Sequence, residues 1–250
     1  MGQAGSLYSR PLQARHAKDN APVSEPTPLP CMPGQTVAVL DFETTGMSPA
    51  QGARATEIAI VLVRDGRIVD RYASLMHTGA WVPPFIEQLT GISNRMLASA
   101  PPADEVMQQV AEFTAGCALV AHNASFDRGF WLHEMAQAGV APAAAPEFGC
   151  TLLLSRRLFP EVPNHRLGTL AQWHGIVPTG RAHRALADAE MAAGLWLQIV
   201  DEVQRRYAAE VPFGLLCALQ RTPRQQLARA VQRYFGGQAP AGIGSGWPQV

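Results

Sequence analysis

The chain has 250 residues, 47% of them hydrophobic and 16% charged. That balance supports a sizeable core and disfavours a disordered chain, and no window approaches the roughly 18 uninterrupted apolar residues of a membrane span. Twenty basic residues oppose twenty acidic ones, so no general positive field awaits a polyanion and any nucleic-acid contact must be local.

Six of the twenty prolines fall within residues 1–33, where no apolar periodicity is sustained, so residues 1–34 are expected to form a flexible Pro-rich leader. Order is predicted to begin near Thr36, with a β-branched run ending in Leu40-Asp41-Phe42-Glu43 as the first strand. Ile58 to Val63 and Arg67 to Leu75 read as two further strands, joined by Asp65-Gly66, a dipeptide suited to tight antiparallel hairpins. Val106, Val110 and Phe113 recur at helical spacing, and Ala118 to Ala121 reads as a short buried strand. Helices are predicted over Ser125 to Ala138 and Arg184 to Val200, the second with Leu186, Ala189, Ala193, Leu197 and Val200 on one face. The implied class is α/β: a mixed central sheet, three antiparallel strands plus parallel ones, flanked by helices over residues 35–202. Residues 203–250 are expected to add a helical extension, Pro212–Leu219 and Pro223–Tyr234, and a Gly/Pro-rich tail that caps the domain or binds a partner. The four cysteines, Cys31, Cys117, Cys150 and Cys217, have neither zinc-site spacing nor disulfide density. With no apolar signal segment in the first thirty residues, they predict a cytoplasmic protein without membrane contact.

Three clusters carry chemistry. Asp41 and Glu43, two apart on a strand, send both carboxylates to one face, and Thr44-Thr45-Gly46 follows as a turn able to meet a ligand. A solvated strand end is the plain alternative. His122-Asn-Ala-Ser-Phe-Asp127 sits where a buried strand gives way to a helix, and Asp127 in the first turn equally serves to start that helix. Phe126 suits either core packing or base stacking. His183-Arg-Ala-Leu-Ala-Asp188 opens the last long helix; Asp188 lies near its buried face, where it needs a cation or a pairing with Arg184 four residues earlier.

Jointly the strings DFETTG, HNASFD and HRALADA resemble the three motifs of the DEDDh 3′–5′ exonucleases, and most resemble the bacterial DNA polymerase III epsilon-type proofreading domain. The likeness spans about residues 35–202 and includes LTGI at 89–92 and the following AP at 100–101. It implies a ribonuclease H-like fold, with Asp41, Glu43, Asp127 and Asp188 as ligands of two divalent cations, Mg²⁺ or Mn²⁺, and His183 as general base. Hard oxygen donors suit those ions, and a pair of them can stabilise both the attacking and leaving oxygens of a phosphoryl displacement. Thr44, Thr45, His122, Asn123 and Phe126 would line the path of the terminal nucleotide. The implied activity is removal of nucleoside monophosphates from single-stranded 3′ ends, DNA first and RNA second. Local arginines such as Arg128, Arg166 and Arg181 would assist. A DNA polymerase is an implied partner; Gln232-Arg-Tyr-Phe235 also faintly resembles a sliding-clamp peptide.

Overall fold

The apolar run at Val37–Thr44 forms the central strand, β1, and its side chains divide by strict alternation. Val37 and Val39 enter one core layer, whereas Ala38, Leu40 and Phe42 enter the other. In the computed structural model, which describes residues 35–207 and 210–236, β1 lies at the centre of a five-stranded sheet ordered β3-β2-β1-β4-β5. The predicted leader and the tail from residue 237 lie outside the described residues.

β2 (Ala55–Arg64) and β3 (Arg67–Leu75) complete the predicted antiparallel meander. Asp65 and Gly66 both take positive φ, 50° and 73°, the backbone of a two-residue hairpin turn that matches strand twist. β4 (Ala118–Ala121) and β5 (Phe148–Cys150) add to β1 in parallel. The helices are α1 (Pro84–Thr90), α2 (Asn94–Ala98), α3 (Ala103–Phe113), α4 (Ala124–Gln137), α5 (Thr151–Leu158), α6 (Leu167–Trp173), α7 (Ala185–Tyr207), α8 (Phe213–Leu219) and α9 (Leu227–Tyr234). One sheet face packs against α7, backed by α5, α6, α8 and α9, and the other against α3 and α4. Leu75, Val82, Ile92 and Leu97 form a small third cluster that roots α1 and α2.

Besides the short helices α1, α2 and α6, which were not among the sequence expectations, the structure departs from them in two respects. β5 has three residues, too few for a period of two to register, so the strand and the α5 helix that follows it directly were not anticipated. The boundary drawn at residue 202 falls inside α7, which runs on to Tyr207. Beyond it, Leu215, Leu216, Leu227 and Val231 are buried in the same core layer as Trp196 and Ile199, so the C-terminal helices share the main core.

β5 is an edge strand, and Gln220 at the end of α8 closes it. Its buried amide donates to the Phe148 carbonyl at 2.9 Å and its oxygen accepts from the Cys150 N–H at 2.7 Å, so neither edge group is left unpaired. Gln220→Leu is expected to destabilise the protein by about 1–3 kcal/mol through those orphaned groups, read by urea unfolding, with faster hydrogen exchange at the Cys150 amide.

Candidate active site

β1 outruns its parallel neighbour. Pairing with β4 stops at Val39, so the next outward backbone groups of β1 have no strand to meet. The Phe42 N–H instead donates to Asp127 Oδ1 at 3.2 Å, which fixes the first-turn carboxylate of α4 beside the stretch between Asp41 and Glu43. By the same alternation that buries Val37 and Val39 under α7, Asp41 and Glu43 stand on the α7 side of the sheet. There α7 begins, and a ring nitrogen of His183 and carboxylate oxygens of Glu43 and Asp188 all lie within 4.8 Å of one another. Asp41 feels the charges of Asp127, Asp188 and Glu43 together. Five side chains spread from residue 41 to residue 188 thus meet at the end of one strand.

His183 is exposed at the mouth of this cluster. Its backbone sits in the left-handed region, φ 61°, and its N–H donates to Asp188 Oδ2 at 3.0 Å. The preceding segment is tied down from two sides: Thr179 donates to Glu190 of α7, and Arg181 reaches the Gln88 carbonyl of α1 at 3.5 Å.

Crowding and burial disfavour charge on every acid of the cluster. Burial, then the charges of Asp127, Asp188 and Glu43, holds Asp41 well above the usual carboxylate range. Burial and Asp188 push Glu43 up to about 8. Burial raises Asp127 against the lowering effect of the Phe42 N–H, and raises Asp188 against the His183 N–H. Two like charges 4 Å apart at an effective dielectric of 20 repel by about 4 kcal/mol, so four ionised carboxylates here require cations. The donor set of four hard carboxylates and a neighbouring imidazole fits divalent ions of the Mg²⁺ class rather than a thiolate-seeking metal.

Two acids absent from the sequence reading hold this arrangement. Glu57 of β2 lies directly across from Glu43 in the strand register and is 2% exposed. Arg184 forks onto it at 2.8 and 3.1 Å, and the Ala185 N–H donates to it at 3.2 Å, so Glu57 caps α7 and anchors it to the sheet. Asp188 accepts from the His183 N–H and faces the cluster, while Arg184, read from the sequence as its candidate partner, forks onto Glu57. Glu134 does the same for α4. Arg54 forks onto it at 2.9 and 2.8 Å and the Ala55 N–H donates at 3.1 Å. The only sequence trace of the first clamp is Arg184 within the third motif; partners 127 and 80 residues apart leave no periodicity to read.

The expected lining residues divide. Thr44 donates to the Gly46 carbonyl at 2.7 Å, and the Thr45 hydroxyl accepts from the Arg54 N–H at 3.0 Å, so both shape the turn beside Glu43. Asn123, φ 60°, and Ser125 are exposed at the start of α4, while Phe126 is half-buried against Phe130 at 5.0 Å. His122 faces inward. One ring nitrogen meets the Thr151 hydroxyl at 2.9 Å and the other the His165 carbonyl at 3.1 Å, and burial lowers its pKa to about 4. It is a neutral strut between β4, α5 and the 159–166 loop, with no ring nitrogen left for a ligand.

A mixed sheet with carboxylates gathered where its central strand ends defines a hydrolase of ribonuclease H-like fold. A family model described as an exonuclease, of RNase T type, matches residues 38–196, and the chain belongs to that family of hydrolytic nucleases. It is 34% identical over 187 residues to the 3′-5′ exonuclease DinG of Bacillus subtilis, covering 75% of this chain and 19% of that protein. It is 36% identical over 201 residues to a DNA polymerase III of PolC type from Bacillus cereus, covering 80% and 14% respectively. The chain thus spans less than a fifth of either relative. Among solved structures, Exonuclease X in complex with 5′ overhanging duplex DNA superposes with a TM-score of 0.54 at 26% identity, over 78% of this chain and 99% of that one. Exonuclease I of E. coli with a dA16 oligonucleotide shares the fold, TM-score 0.56 at 17% identity over 68% of this chain and 41% of that one. Divalent metal ions are general to exonucleases of this fold. Among the described residues no helix is long and apolar enough to cross a membrane.

The raised carboxylates set the pH response of the metal-free protein. Glu43 binds its proton more tightly folded than unfolded, so its contribution to stability is complete below about 4.5 and is lost as pH rises through about 8. Thermal unfolding in EDTA is expected to show a midpoint that falls between pH 5 and 8.5. Added Mg²⁺ or Mn²⁺ should restore it, with the larger increment at pH 8.5. A midpoint independent of both pH and metal would contradict the electrostatic description.

Proposed function

We propose that this chain is a 3′–5′ exonuclease that releases nucleoside monophosphates from single-stranded DNA ends, with two Mg²⁺ or Mn²⁺ ions as cofactors. The reading rests above all on the convergence of Asp41, Glu43, Asp127, Asp188 and His183 at the end of β1. The relatives named as a 3′-5′ exonuclease and as polymerases support the polarity and the choice of DNA. Residues 35–202 would carry the chemistry, and the free thiols Cys117, Cys150 and Cys217 agree with a cytoplasmic setting.

Asp41, Glu43, Asp127 and Asp188 would hold the ions, which supply charge neutralisation and Lewis acidity at the phosphoryl oxygens. His183, exposed at the mouth, takes the proton of the attacking water as general base. Its left-handed backbone and the N–H bond to Asp188 orient the ring toward the carboxylates. The turn at Thr44–Gly46 and the exposed start of α4 border the space where the terminal nucleotide would lie, with the half-buried Phe126 ring beside it. Contacts of this kind are tolerant of sequence, so little base preference is expected.

Association with a polymerase is a second reading, favoured by the PolC-type relatives. A sliding-clamp peptide at Gln232–Phe235 is less well supported, because Phe235 packs against the main core rather than standing free.

Asp41→Asn and Asp188→Asn are each expected to lower hydrolysis of a 3′-labelled single-stranded oligonucleotide by at least about 10³-fold, a loss of roughly 4 kcal/mol of transition-state stabilisation. Because each change removes a repelled charge, the metal-free midpoint of unfolding should not fall. Product ladders on matched DNA and RNA fix the sugar preference; full activity in either variant defeats the reading. Glu57→Ala is expected to cost about 3–5 kcal/mol of stability by leaving Arg184 and the start of α7 uncompensated, measured by urea unfolding.

A further inference from the structure

The charge balance of zero conceals a strong asymmetry. Residues 211–250 contain Arg221, Arg224, Arg229 and Arg233 and no acidic residue, which leaves sixteen basic against twenty acidic residues in the first 210. α9 concentrates this charge. Leu227, Ala230 and Val231 turn into the core, so Arg229, Gln232 and Arg233 necessarily face outward, joined by Arg224 and Gln225 from the preceding turn. Among the described residues, Arg224, Arg229 and Arg233 have no acidic partner within ion-pair distance. By contrast Arg54 and Arg184 are each forked onto a buried glutamate, Glu134 and Glu57.

A groove along the β5 edge of the sheet lies between the start of α4, which carries Asp127, and the end of α8, which leads into the basic face. It has a volume of about 520 Å³ and is lined by Asn123, Ser125 and Arg128 beside Asp127, then by Arg156, and at its far side by Arg221, which pairs with Glu147. Only β4 separates β1 from β5, so the groove begins about 10 Å from the strand that carries Asp41 and Glu43. Arg156 is exposed. Arg221 follows the end of α8, three residues before the exposed Arg224.

We propose that this track, from the start of α4 through Arg156 to Arg224, Arg229 and Arg233, is a docking surface for the sugar-phosphate backbone of a nucleic acid whose end lies in the active site. The proposal rests on the exonuclease reading for its ligand class. Charge complementarity carries it: a chain with no net positive charge can hold a polyanion only through a local array, and the segment from residue 211 onward brings four arginines and no acidic residue. Guanidinium forks suit phosphate oxygens, and contacts to phosphate carry no sequence information, consistent with an enzyme that must let sequence pass. A short substrate would not reach α9, so the surface should matter in proportion to strand length.

The test compares the full chain with the R224E/R229E/R233E variant. Binding of a 20-nucleotide and a 4-nucleotide single-stranded DNA is followed by fluorescence anisotropy in Ca²⁺ over a range of KCl, beside hydrolysis of a p-nitrophenyl ester of thymidine monophosphate in Mn²⁺. The variant should bind the 20-mer at least tenfold more weakly at low salt. Its dependence of log K on log [KCl] should be shallower by about 2, for three single-strand phosphate contacts. Affinity for the 4-mer and turnover of the ester should stay within twofold. Unchanged 20-mer binding overturns the proposal, as does an equal loss on the 4-mer, which would mean the substitutions act through the fold. Arginine-dependent binding to phosphatidylserine vesicles but not to the 20-mer would assign the surface to a membrane and overturn it too. If the wild-type chain hydrolyses neither ester nor DNA yet binds the 20-mer through these arginines, the docking surface stands and the catalytic reading alone falls.

Discussion

Mutual repulsion among buried carboxylates is the constraint on which this structure turns. Left to relax, Asp41, Glu43, Asp127 and Asp188 would separate or take up protons, and burial already pushes each of them toward the protonated form. They stay together because the elements that carry them are clamped independently of the cluster. Glu57 grips the start of α7 through Arg184 and the Ala185 N–H, and Glu134 grips the edge of β2 through Arg54 and the Ala55 N–H. Each clamp is a forked guanidinium–carboxylate pair with a backbone donor added, the geometry in which a buried ion pair comes nearest to offsetting its desolvation. Such a site stores unfavourable charge that a divalent ion releases, so the same feature that burdens the metal-free fold selects hard cations.

The sheet supplies the remaining precision. Because β1 extends past β4, one backbone N–H of its last stretch is free to hold Asp127, and the break in the ladder becomes part of the site. Alternation along β1 then decides that the two carboxylates of its motif meet α7 rather than α4. Small residues in the first half of α7, among them Ala185, Ala189, Ala192 and Ala193, allow that helix to lie close to the sheet. Function and fold therefore use one set of contacts. The C-terminal helices extend this logic: they complete the core beside Trp196, close the β5 edge through Gln220, and turn an arginine face outward.

Much of this was legible without coordinates. The meander with its Asp65-Gly66 turn, the Ala118–Ala121 strand, the helix that follows the second motif and the start of the one that opens at the third were readable to within a few residues, because periodicity and turn chemistry are local properties. That Asp41, Glu43, Asp127, His183 and Asp188 each stand at or near an element end was readable too, and the fold brings them together. The clamps were not, since Glu57 and Glu134 sit within apolar or mixed runs and meet their arginines only after the chain has folded. The inward turn of His122 was equally hidden: its partners, Thr151 and the His165 carbonyl, lie 29 and 43 residues away.

What the sequence by itself determined is the order of the main strands and helices and, through the likeness of its three motifs to a known family, the class of protein, because strand and helix periods are local and the motifs stand intact in the chain. Only the tertiary structure decided how the clustered acids can coexist, which residues brace them, that α8 and α9 share the main core, and that the arginines of the last helices face away from it. Those outcomes depend on pairings between distant segments, and a polar contact across a hundred residues has no period by which the chain could announce it.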